Sequence, residues 1–171
     1  MRLNLPVEVV LQAAVAVICA GMVLAYISVW MSPGAVDPVA AAIVSSPLIG
    51  AVIQFVVLMV VTMLSFRVGR AFGGTGDLRQ AFALVVWLNV VLLLIQVVQL
   101  AVLMVLPPLA ALLALAAIGW TLWALANFLC ELHGFQNAFL VLGGVILTVI
   151  VLFFSIALML TMLGLQPPGT A

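Results

Sequence analysis

Long apolar runs dominate the sequence, and the segments between them hold nearly all of the charges, proline pairs and glycine clusters. Each run extends over ~19 residues or more, about the length that a helix needs to cross the ~30 Å hydrocarbon core of a bilayer. The predicted spans are 9–31, 48–66, 78–106, 109–129 and 138–163. The pattern therefore predicts an all-α integral membrane protein, a five-transmembrane-helix bundle that forms a single membrane domain over residues 1–171.

The boundaries of these spans rest on residues with strong backbone preferences. Pro107 and Pro108 lack backbone N–H groups and disfavour helix before them, so the third and fourth helices should meet in a tight hairpin. Asp77, followed by Gln80 three residues later, is typical of a helix N-terminus with a capping box. An Asp-Pro pair also predicts a short interfacial helix at 38–44.

The arginines determine the predicted orientation. With five spans, the N-terminus and the loops after the second and fourth helices share one side of the membrane. That side carries all four arginines of the chain, Arg2, Arg67, Arg70 and Arg79. The positive-inside rule then makes it cytoplasmic, which places the N-terminus in the cytoplasm and the C-terminus outside.

The composition excludes a soluble fold and reduces the range of possible partners. Of the 171 residues, 69% are hydrophobic and 5% are charged, against roughly 45–50% and 25% in soluble domains. The net charge is zero and lysine is absent, which argues against nucleic acid as a partner. We expect a multi-pass protein of the bacterial cytoplasmic membrane in contact with membrane lipids.

Amide side chains are the main polar groups inside the spans. Asn89, Gln96 and Gln99 share one flank of the third helix, and Gln54 lies at a depth similar to that of Gln96, so we predict that Gln54 and Gln96 pair. One interpretation is hydrogen bonding between helices, and the alternative is a channel or facilitator lined by these four amides. The absence of carboxylates and arginines at mid-membrane argues against a pump.

The loop after the fourth helix offers the only candidate chemistry for an enzyme. Glu131 and His133 stand beside a cysteine, but a structural zinc site needs four ligands, and no nucleophile accompanies an acid/base pair. We therefore expect no metal, no cofactor and no enzymatic activity. Glu131 is predicted to pair with Arg70 or Arg79, while His133 and the glycine after it shape the turn.

Small residues suggest which helix lies at the centre of the bundle. The fourth helix carries Ala110, Ala114, Ala117 and Gly119, whose spacing allows close approach of a neighbouring backbone. We therefore predict that the fourth helix is central.

Two stretches resemble a known family. The glycine-rich entry to the third helix, Gly73-Gly74-Thr75-Gly76-Asp77-Leu78-Arg79-Gln80-Ala81, and the later segment, Trp120-Thr121-Leu122-Trp123 with Glu131-Leu132-His133-Gly134, are similar to bacterial Yip1-domain proteins. The resemblance covers roughly residues 48–163. It implies five spans, a cytoplasmic N-terminus and a non-enzymatic role. On this basis we expect an interaction or scaffold protein that acts through lateral helix contacts and cytoplasmic loops, with a membrane protein partner or as a subunit of a larger complex.

Overall fold

The computed structural model describes residues 6–31 and 43–162. These residues contain no strand and form five long helices: α1 (Val7–Met31), α2 (Pro47–Ala71), α3 (Leu78–Val105), α4 (Pro107–His133) and α5 (Ala138–Met162). Each helix is long and apolar enough to cross a membrane. The prediction of five apolar helices is confirmed.

The boundaries follow the proline and glycine signals of the sequence. Leu106 alone separates α3 from α4, so the predicted hairpin is confirmed. Helices α2 and α4 continue beyond their predicted ends at residues 66 and 129, to Ala71 and His133. The predicted interfacial helix at 38–44 lies mostly outside the described residues, of which 43–45 are helical.

Local hydrogen bonds fix the start of α3 and the end of α4. The Asp77 carboxylate accepts a hydrogen bond from the Leu78 N–H at 2.9 Å, which confirms its role as N-cap. Gly134 ends α4 in the left-handed conformation, with a φ of 74°, and the Phe135 N–H then reaches the Cys130 carbonyl at 3.0 Å. Glycine suits this position because it has no Cβ to oppose a positive φ.

The core lies between α1, α2 and α3. Its buried cluster consists of Val10, Ala14, Leu58, Val85 and Val86. Helix α3 packs against α1, α2 and α4 and contributes Val85 and Val86 to the core, so it occupies a central position in the bundle.

Helix α4, which the sequence predicts to be central, also packs on three helices, α2, α3 and α5, but of the four small residues behind that prediction only Ala110 is buried. Ala114 and Gly119 are exposed, and no atom lies within 4 Å of a Cβ placed on Gly119. Small residues permit close packing without requiring it, so their spacing did not identify the buried face.

Helix α5 lies at the edge of the bundle. Among the five described helices it packs on α4 alone, and none of its described side chains is buried. Its first turn lies at the end of the bundle where α2 and α4 finish and α3 begins, and this end carries Arg67, Arg70 and Arg79. We call it the arginine end. Helix α1 runs antiparallel to α2, since Gly21 lies against Gln54 and Ala14 joins Leu58 in the core, so α1 also begins there.

Candidate functional site

His133 is the last residue of α4, yet its side chain is only 3% exposed. The Gly76 N–H donates a hydrogen bond to its Nδ1 at 3.2 Å, and its Nε2 lies 3.0 Å from the Ser65 carbonyl oxygen. Because Nδ1 accepts, the ring hydrogen belongs on Nε2, which donates to Ser65. One neutral tautomer therefore satisfies both ring nitrogens.

Three glycines make room for the imidazole. A Cβ placed on Gly69 in α2, or on Gly74 or Gly76 in the following loop, would lie under 3.0 Å from the His133 side chain. The ring also stacks on Phe135, with centroids 5.6 Å apart and an interplanar angle of 29°. We call this arrangement the histidine enclosure. It joins the end of α2, the loop between α2 and α3, and the end of α4.

The sequence predicts only that His133 shapes the turn after α4, whereas in the structure His133 also contacts α2 and the loop before α3. Both ring nitrogens face backbone groups, so neither offers a lone pair to a metal ion or to an acid/base reaction. In the part of the chain that the structure describes, no group of three His, Cys, Asp or Glu side chains could hold a metal. Sequence reasoning did not predict that Gly69, Gly74 and Gly76 make room for a side chain. The one signal for this role was a glycine cluster in a chain that has a single histidine.

The four candidate amides do not line one cavity. The Asn89 amide donates to the Val85 carbonyl of its own helix at 2.9 Å. Gln54 faces α1, where its Nε2 would be 3.1 Å from a Cβ on Gly21. Gln99 lines a separate depression between α3 and α4.

The predicted pairing of Gln54 with Gln96 is not formed. The hydrogen bonds of the described residues include none between these two side chains. Gly21 leaves space for Gln54 against α1, so the amide turns toward α1 instead of meeting α3.

The charged candidates are exposed at the arginine end. Arg67, Arg70, Arg79 and Glu131 all have exposed side chains. The Arg70 guanidinium lies 5.5 Å from the centre of the Phe66 ring, within range of a cation–π contact. The pairing of Glu131 with Arg70 or Arg79 stays a prediction.

An apolar cleft of about 440 Å³ lies between α2 and α5. These two helices do not pack on each other, but both pack on α4, which therefore forms the floor of the cleft. Leu125, Leu129 and His133 of α4 line it at intervals of four residues, so they share one helix face. Val61 and Leu152 mark the far ends of its two walls.

Polar groups are concentrated at one end of this cleft. His133, Gln136 and Asn137 line it at the arginine end. Asn137 also caps α5, because its Oδ1 accepts hydrogen bonds from the N–H groups of Phe139 and Leu140 at 3.0 and 3.3 Å. Deeper in the cleft, Thr148 donates to a carbonyl of its own helix at 2.7 Å. The interior is thus apolar with a polar mouth.

The family model of the Yip1 domain matches residues 6–159, nearly the whole chain. The chain belongs to the Yip1-domain family. The resemblance drawn from the sequence is confirmed, and the matched part of the Yip1 domain includes the histidine enclosure and the cleft. No curated protein and no solved structure matches the chain significantly. Yip1-domain proteins are membrane-associated and are not known as enzymes.

Proposed function

We propose that this Yip1-domain protein is a non-enzymatic scaffold of the bacterial cytoplasmic membrane, which binds a second integral membrane protein through α5. One observation carries the proposal: among the five described helices α5 packs on α4 alone, and none of its described side chains is buried. A helix attached along one side only leaves most of its surface available for lateral contact.

The outer face of α5 has the form of a helix-packing site. Gly143 lies there, one turn from Phe139 and one turn from Leu147. These side chains are 74% and 61% exposed, and the Phe139 ring also contacts Trp123 of α4, with centroids 5.2 Å apart. No atom lies within 4 Å of a Cβ placed on Gly143. In membranes, helices associate through van der Waals packing where a small residue lets another backbone approach closely. Gly143 is flanked by large apolar side chains one turn away on each side and provides such a point of close approach. We call it the notch on α5.

The arginine end supplies a second surface in this proposal. The histidine enclosure holds the loop before α3 against the end of α4. Arg70, Arg79 and Glu131 are then presented from elements with fixed relative positions. By the positive-inside rule this surface faces the cytoplasm, where a partner's own loops can meet it. The channel alternative receives no such support, because the candidate amides lie at different helix interfaces.

Photo-crosslinking in living cells tests the proposal. A photoreactive amino acid replaces Ile150 on the outer face of α5 in one strain and Val23 of α1 in the control strain. The two residues are 49% and 59% exposed, so both are accessible from the bilayer. We expect a crosslinked product with one integral membrane protein from position 150 and none from position 23.

Two leucine substitutions provide the matched control. Gly143→Leu fills the notch on α5, whereas Gly119→Leu adds the same side chain on α4, and neither Cβ meets an atom within 4 Å. Gly143→Leu should abolish the crosslink and Gly119→Leu should preserve it. Products with lipid alone or with a second copy of the chain would overturn the proposal, as would equal loss in both variants.

A further inference from the structure

We infer that the cleft between α2 and α5 binds one acyl chain of a membrane phospholipid from the leaflet at the arginine end. This site differs from the outer face of α5, because Gly143 and Ile150 do not line the cleft. The inference rests on the depth of the cleft, on the distribution of polar groups along it and on its position among the helices.

The depth of the cleft matches one leaflet. Along α5 the lining runs from Leu140 to Leu152, and along α2 it runs from the C-cap Phe72 back to Val61. At ~1.5 Å per residue, these stretches measure about 18 and 16 Å. The hydrocarbon core is ~30 Å thick, so a partner's transmembrane helix that crosses it is far longer than either wall of the cleft. An acyl chain that enters from one side of the membrane occupies half of the core.

The lining suits an amphipathic ligand with its polar end at the mouth. The walls between the mouth and Leu152 are apolar apart from Ser65 and Thr148, and the Thr148 hydroxyl is satisfied by the Gly144 carbonyl. Gln136 and Asn137 are exposed at the arginine end, at the level where a phospholipid glycerol and headgroup would lie. Both nitrogens of His133 already have backbone partners, so we expect no hydrogen bond between the ligand and that ring.

The size and position of the cleft also agree with this occupant. A volume of about 440 Å³ falls within the ~300–1,000 Å³ of typical small-ligand sites. The cleft lies between two helices that cross the bilayer, and phospholipid chains are what surrounds the protein there. Gly144 adds width, since no atom lies within 4 Å of a Cβ placed on it.

Photolabelling with a defined lipid tests the inference. The full-length protein is reconstituted into phosphatidylethanolamine vesicles that contain phosphatidylglycerol with a diazirine on one acyl chain. After illumination, labelled peptides are identified by mass spectrometry. We expect labelling concentrated on 61–72 of α2 and 140–152 of α5, well above that of α1, which faces the bilayer without lining the cleft.

Adjacent glycines supply the decisive comparison. Gly144→Leu places a side chain inside the cleft and should reduce labelling of α2 to the level found on α1. Gly143→Leu adds the same side chain outside the cleft and should leave labelling unchanged. A second pair, Val149→Phe in the lining and Ile150→Phe outside it, repeats the comparison if Gly144→Leu fails to fold.

Two results would overturn the inference. Uniform labelling of all exposed helices would indicate lipid that surrounds the protein without a specific site. Labelling of α2 that persists in both Gly144→Leu and Val149→Phe would place the lipid elsewhere. Because Gly143→Leu and Gly144→Leu act on different faces of α5, a failure here is distinguishable from a failure of the proposed scaffold function.

Discussion

At the scale of single residues, the histidine enclosure is tightly constrained by its contacts. A histidine at the end of a membrane helix ordinarily reaches water, but His133 is 3% exposed and contacts backbone groups from two other elements. Its removal leaves the buried Gly76 N–H without its acceptor, and an unsatisfied buried donor costs about 1–3 kcal/mol. We therefore expect His133 to stabilise the protein by holding α2 and the loop before α3 against the end of α4.

A double-mutant cycle between Gly69 and His133 tests this contact. Gly69→Ala should lower the free energy of unfolding by about 1–3 kcal/mol, because the new methyl group overlaps the ring. In the His133→Ala background the ring is absent, and the same change should stabilise α2 by up to about 1 kcal/mol, since alanine favours helix over glycine. Titration with denaturing detergent, followed by tryptophan fluorescence, measures both values.

Gly119→Ala is the control for helix propensity alone, because a Cβ on Gly119 meets no atom within 4 Å. It should be neutral or stabilising in both backgrounds. An equal effect of Gly69→Ala with and without His133 would mean that the two residues do not interact energetically.

The sequence could not reveal this enclosure. The partners of His133 lie 57 and 68 positions away along the chain, and no local pattern encodes their contact. Clustered glycines such as Gly74 and Gly76 usually indicate a flexible turn. Their actual role depends on a side chain that approaches from α4.

At the scale of helices, local chemistry predicted the start of α3 and the α3–α4 hairpin well, but it predicted the ends of α2 and α4 and the packing of the helices poorly. Leu106 and Asp77 lie at the boundaries that proline and capping signals predicted. The central position of α3 depends on which apolar face each helix turns inward. In chains that are apolar on every side, the hydrophobic pattern does not distinguish that face.

The end of α4 carries a charge that its own helix disfavours. Glu131 lies in the last turn, where the helix dipole is negative, and this placement costs a few tenths of a kcal/mol or more without a cation nearby. The histidine enclosure brings the end of α4 to Gly69, next to Arg70 in sequence. A guanidinium from Arg70 or Arg79 is expected to offset the unfavourable interaction.

Charge reversal tests this pairing. Glu131→Arg should lower stability in detergent, and Arg70→Glu or Arg79→Glu in the same chain should recover part of the loss, as measured by the midpoint of thermal unfolding. Arg67→Glu serves as the comparison and should recover less. If no reversal restores stability, the ion pair is absent.

At the scale of the whole molecule, the parity of spans decides which surfaces face each compartment. With five helices that cross the bilayer, the two ends of the chain are expected on opposite sides, and the arginine end is expected in the cytoplasm. A reporter that is active only in the cytoplasm should therefore stay silent when fused after Ala171. The same reporter fused before Met1 should be active, and the opposite pattern would show that the orientation is inverted.

The peripheral attachment of α5 also has a consequence for the order of folding. The core cluster draws only on α1, α2 and α3, and the histidine enclosure needs nothing beyond Phe135. Since chains are made from the N-terminus and folding during synthesis proceeds in that direction, we expect both to form before α5 is complete. The last helix is then expected to join a folded four-helix body as it enters the bilayer, with its outer face still open to a neighbour.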